Sequence, residues 1–502
     1  MSTQKDYLFH QRSSGILLHV SSLPGKWGVG RLGREAYSFA DKLHEAGIKL
    51  WQFLPLTPVG AGDSPYQSCA AYAGSPLFIS FEKLQEDGLL PQENLSKLFA
   101  HLENPMADYE YAKRASDFFL PLAFMNFEQN GVFRKEYDEF CASEQWWLED
   151  YCLFSAIRSQ LGEIMIQDWP EKLKNRERES LEEKTIELAS EIEYERFVQF
   201  VFFRQWRELK TYCNAKGISL MGDVPIYVSA DSVEVWKNPE LFEVNADLTP
   251  ILVAGVPPDY FSETGQLWGN PVYRWNAHEL DGFQWWHKRL DYSLKLFDTV
   301  RIDHFRGFSE FWAIAAGQNT AADGTWICAP GQKLFDLYIE KRGSVPVIAE
   351  DLGILSEEAI ELRMRYGFPG MKILQFAFSN YRENEFLPHF YDRNCVVYTG
   401  THDNNTLRGW FEEEAKQEEK DTVLAYVGHD QDELVNNIIK LAWSSVANMV
   451  IIPMQDILNL DFLGRMNVPG TTTGNWKWRM TESQAEAFPV KEIQKLNDLY
   501  FR

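Results

Sequence analysis

Eight short segments rich in apolar and β-branched residues recur along the 502-residue chain, each followed by turn residues or by a helical pattern. They span residues 15–20, 49–56, 220–228, 299–304, 345–350, 371–378, 395–401 and 449–454. Several are continuous apolar runs, which is typical of strands covered on both faces. Eight such strands with intervening helices predict the α/β class and a (β/α)8 TIM barrel; a doubly wound sheet is the structural alternative.

The uneven spacing of these segments predicts two insertions into a single catalytic barrel over residues 1–502. About 160 residues separate the second and third strands, far more than one βα unit needs. Helical periodicity over 108–129, 143–161 and 177–216 predicts a mainly helical subdomain at 62–195, inserted after strand two. Residues 229–278, rich in Pro, Gly and aromatic residues, predict a loop insertion after strand three that covers a cleft, rather than helix or sheet.

Charge and composition exclude several classes of function. The formal net charge of −24, with no run of Lys or Arg, argues against a nucleic-acid partner, because a polyanion would be repelled. No apolar run approaches the roughly 18 residues that a membrane span needs. The first fifteen residues lack an apolar signal segment and the six cysteines are scattered, so we expect a cytoplasmic protein with reduced thiols.

One motif in the chain points to a nucleotide cofactor but lies in the wrong context. Gly28, Gly30 and Gly33 form a G-x-G-x-x-G pattern after the first strand. Pro24 and the residues after it separate these glycines from the strand end, so the tight strand-to-helix turn of a dinucleotide site is missing. We therefore expect ordinary loop glycines here, and no cofactor.

Acidic residues follow three of the predicted strands. Asp303 ends the fourth strand, Glu350 ends the fifth, and Asp403 follows the seventh. In a barrel these positions meet at the carboxyl ends of the strands, where chemistry is carried. Two carboxylates can break a glycosidic bond while the third stabilises positive charge on the sugar. Metal-assisted hydrolysis, which can also use three carboxylates, stays open as an alternative.

The neighbours of these carboxylates suggest how their pKa values differ. Arg301 lies two residues before Asp303 and faces the same side of the strand, so it should lower the pKa of Asp303 and keep this nucleophile ionised. Glu350, close to two other carboxylates, should have a raised pKa and donate the proton. His304 and His402 are placed to donate hydrogen bonds to sugar hydroxyls.

Long motifs identify a family. The chain resembles the 4-α-glucanotransferases, the amylomaltase or disproportionating-enzyme family (glycoside hydrolase family 77), nearly throughout and most weakly over residues 87–195. The motifs that carry the resemblance are GILLHVSSLPGKWGVGRLG, WQFLPLTPVGAGDSPYQSCAAYAGSP, GDVPIYVSADSVEVW, VAGVPPDYFSETGQLWGNPVY, TVRIDHFRGF, VIAEDLG, YGFPGMKILQFAF, YTGTHDNNT and MNVPGTTTGNWKWR.

The resemblance implies a role for each matching residue. Asp303 matches the nucleophile, Glu350 the acid/base and Asp403 the carboxylate that stabilises the transition state. The matching substrate-binding residues are Ser64, Tyr66, Asp223, Gln266, Trp268, Arg301, His304, His402 and Asn467. Asn405 departs from the family, where an aspartate often follows THDN, and we expect altered detail there rather than lost activity.

The implied activity is retaining transglycosylation: an α-1,4-glucan segment moves from a donor to the 4-hydroxyl of glucose or another glucan through a covalent glycosyl-enzyme. Partners would be maltooligosaccharides, α-1,4-glucans and glucose, with neither cofactor nor metal. The short stretch after the last strand predicts no C-terminal β-sandwich domain. An α-amylase-type hydrolase and a non-catalytic glucan-binding protein are the alternatives.

Overall fold

The computed structural model describes residues 9–93, 95, 106–258, 263–379, 381, 383–430 and 432–502. Twelve strands are named in chain order. They are β1 (Ser13–Leu17), β2 (Leu50–Gln52), β3 (Ser219–Val224), β4 (Leu252–Val256), β5 (Gln266–Pro271), β6 (Thr299–Ile302), β7 (Glu310–Ala315), β8 (Gly324–Cys328), β9 (Val347–Ala349), β10 (Gly370–Ile373), β11 (Cys395–Tyr398) and β12 (Met449–Pro453).

The α-helices are named in the same way. They are α1 (Arg34–Glu45), α2 (Phe81–Glu86), α3 (Tyr109–Asn130), α4 (Arg134–Gln160), α5 (Glu171–Lys174), α6 (Arg178–Glu187), α7 (Ala189–Ala215), α8 (Val233–Lys237), α9 (Trp275–Leu280), α10 (Gln284–Leu296), α11 (Gly331–Arg342), α12 (Glu357–Arg365), α13 (Leu407–Gly409), α14 (Gln417–Val427), α15 (Leu434–Ser444), α16 (Met454–Ile457), α17 (Glu482–Glu486) and α18 (Val490–Tyr500).

Eight of the strands form one parallel barrel. Their spatial order is β10-β11-β12-β1-β2-β3-β6-β9, so strands that follow one another in this set are neighbours. The first and last strands pair directly, with Ser13 opposite Met449. The Ala349 N–H donates to the Pro369 carbonyl at 2.9 Å and joins β9 to the start of β10. The predicted (β/α)8 barrel is confirmed, with strand ends a few residues from those predicted, and the doubly wound sheet is excluded.

Burial on both faces explains why the barrel strands are continuous apolar runs. Every residue of β11 (CVVY) and β12 (MVIIP) is buried. Helix α15 packs on the outside and buries Leu434, Val435, Ile438 and Ile439, an apolar face with helical spacing. Strand ends therefore lie on a rigid frame, which fixes the side chains that follow them.

The helical insertion after β2 contains α3, α4, α6 and α7, which confirms the helical segments predicted at 108–129, 143–161 and 177–216. Residues 94 and 96–105 of this region lie outside the described residues, and the subdomain limits 62–195 stay a prediction. Two buried amides attach α7 to the segment after β2. The Gln199 amide bonds both backbone groups of Gly74 at 2.8 and 3.1 Å, and Gln205 does the same at Ser80.

The second insertion differs from its prediction. Residues 229–278 were expected to form neither helix nor sheet, which is wrong: they contain α8, β4, β5 and α9, while 259–262 lie outside the described residues. Strands β4 and β5 belong to an antiparallel sheet of order β5-β4-β7-β8, whose other two strands follow β6. Partners on β4 and β7 lie about 60 residues apart in sequence, from Gly255 opposite Trp312 to Leu252 opposite Ala315, and such distant pairing leaves little local signal in a Pro/Gly-rich stretch.

The residues after β12 are helical. Residues 454–502, all described, form α16, α17, α18 and a 3₁₀ turn at Phe462–Gly464, and these residues contain no β-sandwich. Across the described parts of the chain, no helix combines the length and the apolar character needed to cross a membrane.

Candidate active site

The candidate residues converge at the carboxyl ends of the barrel strands. Asp223 lies near the end of β3, Asp303 directly follows β6, and Glu350 directly follows β9. Asp403 lies in the loop that begins after β11. This is the end of a parallel barrel where functional residues gather, because each strand delivers its last side chains to one rim.

Arg301 is the centre of one half of the site. Its Nη1 donates to both carboxylate oxygens of Asp223 at 2.7 Å. Its Nη2 donates to Glu350 Oε2 at 2.7 Å and to Asp303 Oδ1 at 3.1 Å. The guanidinium side chain is only 2% exposed. A buried cation needs such partners, since its desolvation is costly unless opposite charges and hydrogen bonds surround it.

Strand register explains why these four residues meet. Asp223 on β3 lies directly opposite Arg301 on β6, and Arg301 lies opposite Ile348 on β9. Side chains two residues apart along a strand share a face. Asp303 follows Arg301 by two residues, and Glu350 follows Ile348 by two residues. Their side chains therefore point into the same space as the side chain of Arg301.

The pKa values of Asp303 and Glu350 move in opposite directions. Burial, then the adjacent Glu350 carboxylate, raises the pKa of Asp303 well above its usual range. Burial also acts to raise the pKa of Glu350, but Arg301, a hydrogen bond from Asp303 and the backbone N–H of His304 together lower it below its ordinary value. The sequence predicted a lowered pKa for Asp303 and a raised pKa for Glu350. The directions here are the reverse, because Arg301 Nη2 lies closer to Glu350, at 2.7 Å, than to Asp303, at 3.1 Å.

His304 connects the half of the site around Arg301 to the wall of the cleft. Its backbone N–H donates to Glu350 Oε2 at 2.8 Å, from a left-handed conformation with φ of 46° that is strained for a residue other than glycine. Burial lowers the pKa of its imidazole to about 4, so the ring is neutral at pH 7. The ring meets Trp268 edge to face, with centroids 4.9 Å apart.

Asp403 is the centre of the other half, and loops hold it. Asn467 Nδ2 donates to its Oδ1 at 2.6 Å, and His402 Nε2 lies 3.4 Å from its Oδ2. Arg465 donates to its backbone carbonyl at 3.2 Å. The Asp403 side chain is 40% exposed, so it borders the open cleft, while the His402 side chain beside it is buried.

Tyr66 joins the two halves. Its hydroxyl donates to Asp223 Oδ2 at 2.6 Å, and its ring stacks on His402 with centroids 5.2 Å apart and planes 13° apart. Ser64 Oγ accepts from the Tyr66 N–H at 3.2 Å and so fixes the turn that carries the tyrosine. Burial and the neighbouring Asp223 carboxylate raise the pKa of Tyr66, which keeps its hydroxyl a donor.

Gln266 and Trp268 lie on one face of the edge strand β5, two residues apart. Trp268 Nε1 donates to Gln266 Oε1 at 3.1 Å, and the backbone carbonyl of Trp268 accepts from Gln67 at 3.4 Å. The intervening Leu267 is exposed on the opposite face. Since Trp268 contacts His304, this strand forms the wall of the cleft next to Glu350.

Sequence reasoning missed three residues at this site. Trp476, in a left-handed conformation with φ of 64°, lies 5.7 Å from the Tyr66 ring and 5.9 Å from the His402 ring. Arg465 supports Asp403. His19, buried beyond the end of β1, has a pKa lowered to about 3 by burial and then by His402. The segment GTTTGNWKW contains two tryptophans, Trp476 and Trp478, and nothing in its sequence indicates which of them reaches the cleft.

Comparisons with known proteins agree over nearly the whole chain. A family model described as 4-alpha-glucanotransferase matches residues 18–484. The 4-alpha-glucanotransferase of Clostridium butyricum is 45% identical over 487 residues, which cover 97% of this chain and 100% of that protein. The Thermus thermophilus 4-alpha-glucanotransferase is 46% identical over 484 residues, 93% of this chain and 95% of the relative.

A solved structure extends this similarity to three dimensions. The amylomaltase from Streptococcus agalactiae in complex with acarbose superposes with a TM-score of 0.94 at 40% identity, covering 98% of this chain and 100% of that one.

Proposed function

This chain belongs to the 4-alpha-glucanotransferase family, and from that premise we propose that Asp303, Glu350 and Asp403 carry out a retaining transfer of α-1,4-glucan segments. In this proposal Asp303 is the nucleophile, Glu350 the acid and then the base, and Asp403 the stabiliser of the transition state. The arrangement needs no cofactor, because each bond is made and broken by carboxyl chemistry.

One observation carries the proposal: Asp303 and Glu350 both accept hydrogen bonds from the same Arg301 nitrogen, at 3.1 and 2.7 Å. Two carboxyl groups that accept hydrogen bonds from one nitrogen lie close together. They leave no room for both a sugar ring and an attacking water between them. Retaining glycosidases place the pair about 5–5.5 Å apart, whereas inverting ones leave about 6.5–9.5 Å for that water. The short spacing supports a covalent intermediate.

The reaction then has two balanced steps. Asp303 attacks the anomeric carbon while the bond to the leaving oxygen breaks, and Glu350 gives that oxygen its proton. The 4-hydroxyl of an acceptor then attacks the glycosyl-enzyme, Glu350 takes its proton, and the bond to Asp303 breaks.

The opposite directions of the two pKa shifts add a step before chemistry in this proposal. The pKa of Asp303 is raised and that of Glu350 is lowered, whereas reaction requires an ionised Asp303 and a protonated Glu350. A proton shared by the pair would therefore move from Asp303 to Glu350, across the hydrogen bond between the two carboxyl groups, when a donor glucan binds. A sugar oxygen that accepts a hydrogen bond from Glu350 favours the protonated form of Glu350 and drives this transfer.

The remaining residues bind the sugar rings in this proposal. Asp403, held by His402 and Asn467 yet open to the cleft, faces the positive charge that develops at the anomeric carbon. Trp268 offers an apolar face for an acceptor ring and Gln266 offers an amide to its hydroxyls. Excluding water from the intermediate while holding a sugar is what separates a transferase from a hydrolase.

Incubation with maltotriose, read by chromatography, tests the proposal. Transfer yields oligomers both longer and shorter than the substrate. Only shorter products would identify the α-amylase-type hydrolase, and an unchanged substrate would identify a glucan-binding protein. Trapping a glycosyl adduct by mass spectrometry on a residue other than Asp303 would contradict the assigned nucleophile.

Two finer statements rest on the sequence. Maltooligosaccharides and glucose as donor and acceptor follow from the family, and the maltotriose experiment tests both. A cytoplasmic location stays a prediction that cell fractionation can check.

A further inference from the structure

We propose that Asp456 is a positioning residue for the transfer reaction, and that it acts by holding both ends of the loop that carries Asp403. The inference deepens the proposed function and rests on it, because the role of Asp403 belongs to that proposal. Asp456 lies in the helical turn α16, directly after β12, and β12 pairs with β11. The loop that carries Asp403 follows β11, so Asp456 is its neighbour at the same rim of the barrel.

Each carboxylate oxygen of Asp456 bonds one end of this loop, which spans residues 399–407 and is called the Asp403 loop below. Oδ2 accepts from the Thr399 hydroxyl at 2.5 Å, and Oδ1 accepts from the Leu407 N–H at 2.7 Å. Asp403 lies in the middle of the loop, four residues from each of these two. One side chain therefore fixes where the Asp403 loop begins and where it ends.

Hydrogen bonds inside the Asp403 loop make it a unit that moves as a whole. Asn404 Oδ1 accepts from the Thr401 N–H at 2.8 Å and from the Thr401 hydroxyl at 3.0 Å. The Thr401 oxygen in turn accepts from the Asp403 N–H at 3.3 Å. Gln375, just after β10, donates to the Asn405 carbonyl at 2.8 Å. A displacement at either end of the loop should therefore move Asp403.

The burial of Asp456 indicates that its two hydrogen bonds are the reason for an acid at this position. The residue is only 2% exposed, and burial raises the pKa of its carboxyl group to about 6. Among the described residues no cation offsets this burial; only the bonds from Thr399 and Leu407 do so. A buried carboxylate without a cation is unfavourable. An apolar side chain would serve packing alone better.

Asp456 differs from the other residues that hold Asp403 because water cannot take its place. Asn467 and Arg465 hold Asp403 from the cleft side, where 40% of its side chain is exposed. Asp456 and Thr399 hold the loop from the interior, and Thr399 is fully buried. A hydrogen bond lost there leaves a polar group unpaired, so the loop should shift to a new position.

The test compares maltotriose kinetics of full-length variants. Asp456→Ala should lower kcat by about 10²-fold, the usual result of moving a catalytic group by about 1 Å, with KM nearly unchanged because Asp403 acts in the transition state. Asp456→Asn keeps an oxygen for the Leu407 N–H and offers its amide to the Thr399 oxygen, so it should retain most of the wild-type kcat. A wild-type kcat in Asp456→Ala, or equal losses in the two variants, would overturn the proposal.

Thr399→Val keeps the test open if Asp456→Ala does not fold. The change is nearly isosteric and removes one of the two hydrogen bonds to Asp456. We expect kcat to fall about tenfold, the lower end of the range for a hydrogen bond to a charged group. A wild-type kcat in a folded Thr399→Val would contradict the proposal.

Asp298→Ala is the matched control. Asp298 Oδ2 accepts from the Leu220 N–H at 2.8 Å where β3 and β6 begin, at the opposite rim of the barrel. This variant should lower the temperature of unfolding and leave kcat unchanged. A fall in kcat equal to that of Asp456→Ala would show that both effects are general destabilisation, and it would overturn the inference.

A double-mutant cycle shows whether Asp456 acts through Asp403. A displaced Asp403 gains little from Asn467, so Asp456→Ala combined with Asn467→Ala should lose less kcat than the product of the two single losses. Losses that multiply would show that Asp456 acts elsewhere.

A crystal structure of Asp456→Ala keeps this inference separate from the proposed function. It should show the Asp403 carboxylate displaced by about 1 Å relative to Asp303 and Glu350. Maltotriose transfer by the wild-type enzyme tests the proposed function by itself. Wild-type transfer with Asp403 unmoved in the variant leaves the proposed function standing and the inference wrong. A displaced Asp403 without wild-type transfer leaves Asp456 as the residue that positions Asp403 and the proposed function wrong.

Discussion

The two halves of the active site are built differently. Asp223, Asp303 and Glu350 lie on three adjacent barrel strands and bond to one buried guanidinium, that of Arg301. Asp403 instead lies on a loop and is held by Asn467 and Arg465 from a second loop, with 40% of its side chain exposed. In the proposed mechanism, strands carry the half that breaks bonds, and loops carry the half that faces the sugar.

This difference predicts two kinds of response to mutation. In the strand half, three carboxyl groups share hydrogen bonds with one guanidinium that is only 2% exposed, so loss of one member leaves a buried cation unbalanced. In the loop half, each contact is partly open to water and can be replaced by it. Changes near Arg301 should therefore be severe, and changes near Asp403 should be graded.

The largest effect is expected for Asp303→Asn. The amide cannot form the covalent intermediate, so turnover of maltotriose should be almost abolished. Circular dichroism and thermal unfolding should show a folded protein, because Asn still accepts a hydrogen bond from Arg301. Residual turnover near the wild-type level would place the nucleophile elsewhere and would show that the strand half is not the half that breaks bonds.

Glu350→Gln should slow transfer from maltooligosaccharides by about 10²–10⁴-fold, the usual worth of general acid-base catalysis. A donor with a good leaving group needs no proton, so its glycosylation step should be slowed much less. Equal impairment with both donors would assign the acid role to another residue.

The same variant tests the pKa order. Wild-type kcat/KM should be bell-shaped in pH, since one shared proton must be present and a second absent. In Glu350→Gln no proton donor remains to be lost, so the alkaline limb should disappear. The acidic limb should move to lower pH, because the carboxylate that helps raise the pKa of Asp303 is gone. A profile unchanged from wild type would contradict the shared proton.

Asn467→Ala removes the 2.6 Å hydrogen bond to Asp403 and should lower kcat by about tenfold, because a hydrogen bond to a charged group is partly replaced by water at this exposed position. Asn394→Ala is the matched control, since Asn394 bonds the Gly367 carbonyl at 2.9 Å before β11, away from the cleft. A loss as large as that of Glu350→Gln would show that the loop half is as tightly coupled as the strand half.

Among these variants, Trp268→Ala is expected to change the overall rate least and to change mainly the proportion of hydrolysis products. Without this ring an acceptor sugar is held less well and water competes for the intermediate, so the ratio of new reducing ends to transferred units should rise. The ratio is measured at fixed maltotriose concentration. A lower rate at an unchanged ratio would assign Trp268 to donor binding or to packing against His304.

The strand half could be predicted from sequence because its information is local. Asp303 and Glu350 each end an apolar run, and the two-residue period of a strand orients Arg301 with Asp303. The order of their pKa values could not be predicted, since it depends on which carboxylate lies closer to Arg301 across two strands. That distance is set by the register between neighbouring strands, which amino-acid composition does not reveal.

The parts of the site around the strand half show the limit of sequence-based prediction more strongly. The strands β4 and β5 lie in a segment predicted to contain no sheet, because their partners include β7, which follows β6 in sequence. Trp476 contacts the rings of Tyr66 and His402 because its backbone is in a left-handed conformation, which no neighbouring residue predicts. The substrate-binding roles proposed for Gln266, Trp268 and Asn467 rest on the family resemblance, and only the fold gives the positions of these residues.

The pairing of β1 with β12 has a consequence for synthesis on the ribosome. Ser13 finds its partner Met449 only after more than four hundred further residues have been added, so one edge of β1 stays open while most of the chain emerges. A nascent chain stopped before β12 would expose two unpaired strand edges, on β1 and on β11, beside a largely apolar interior. The ring of strands that aligns Asp303 and Glu350 is thus completed late in translation, and protection of the growing chain from aggregation falls to the helices that already cover it and to chaperones.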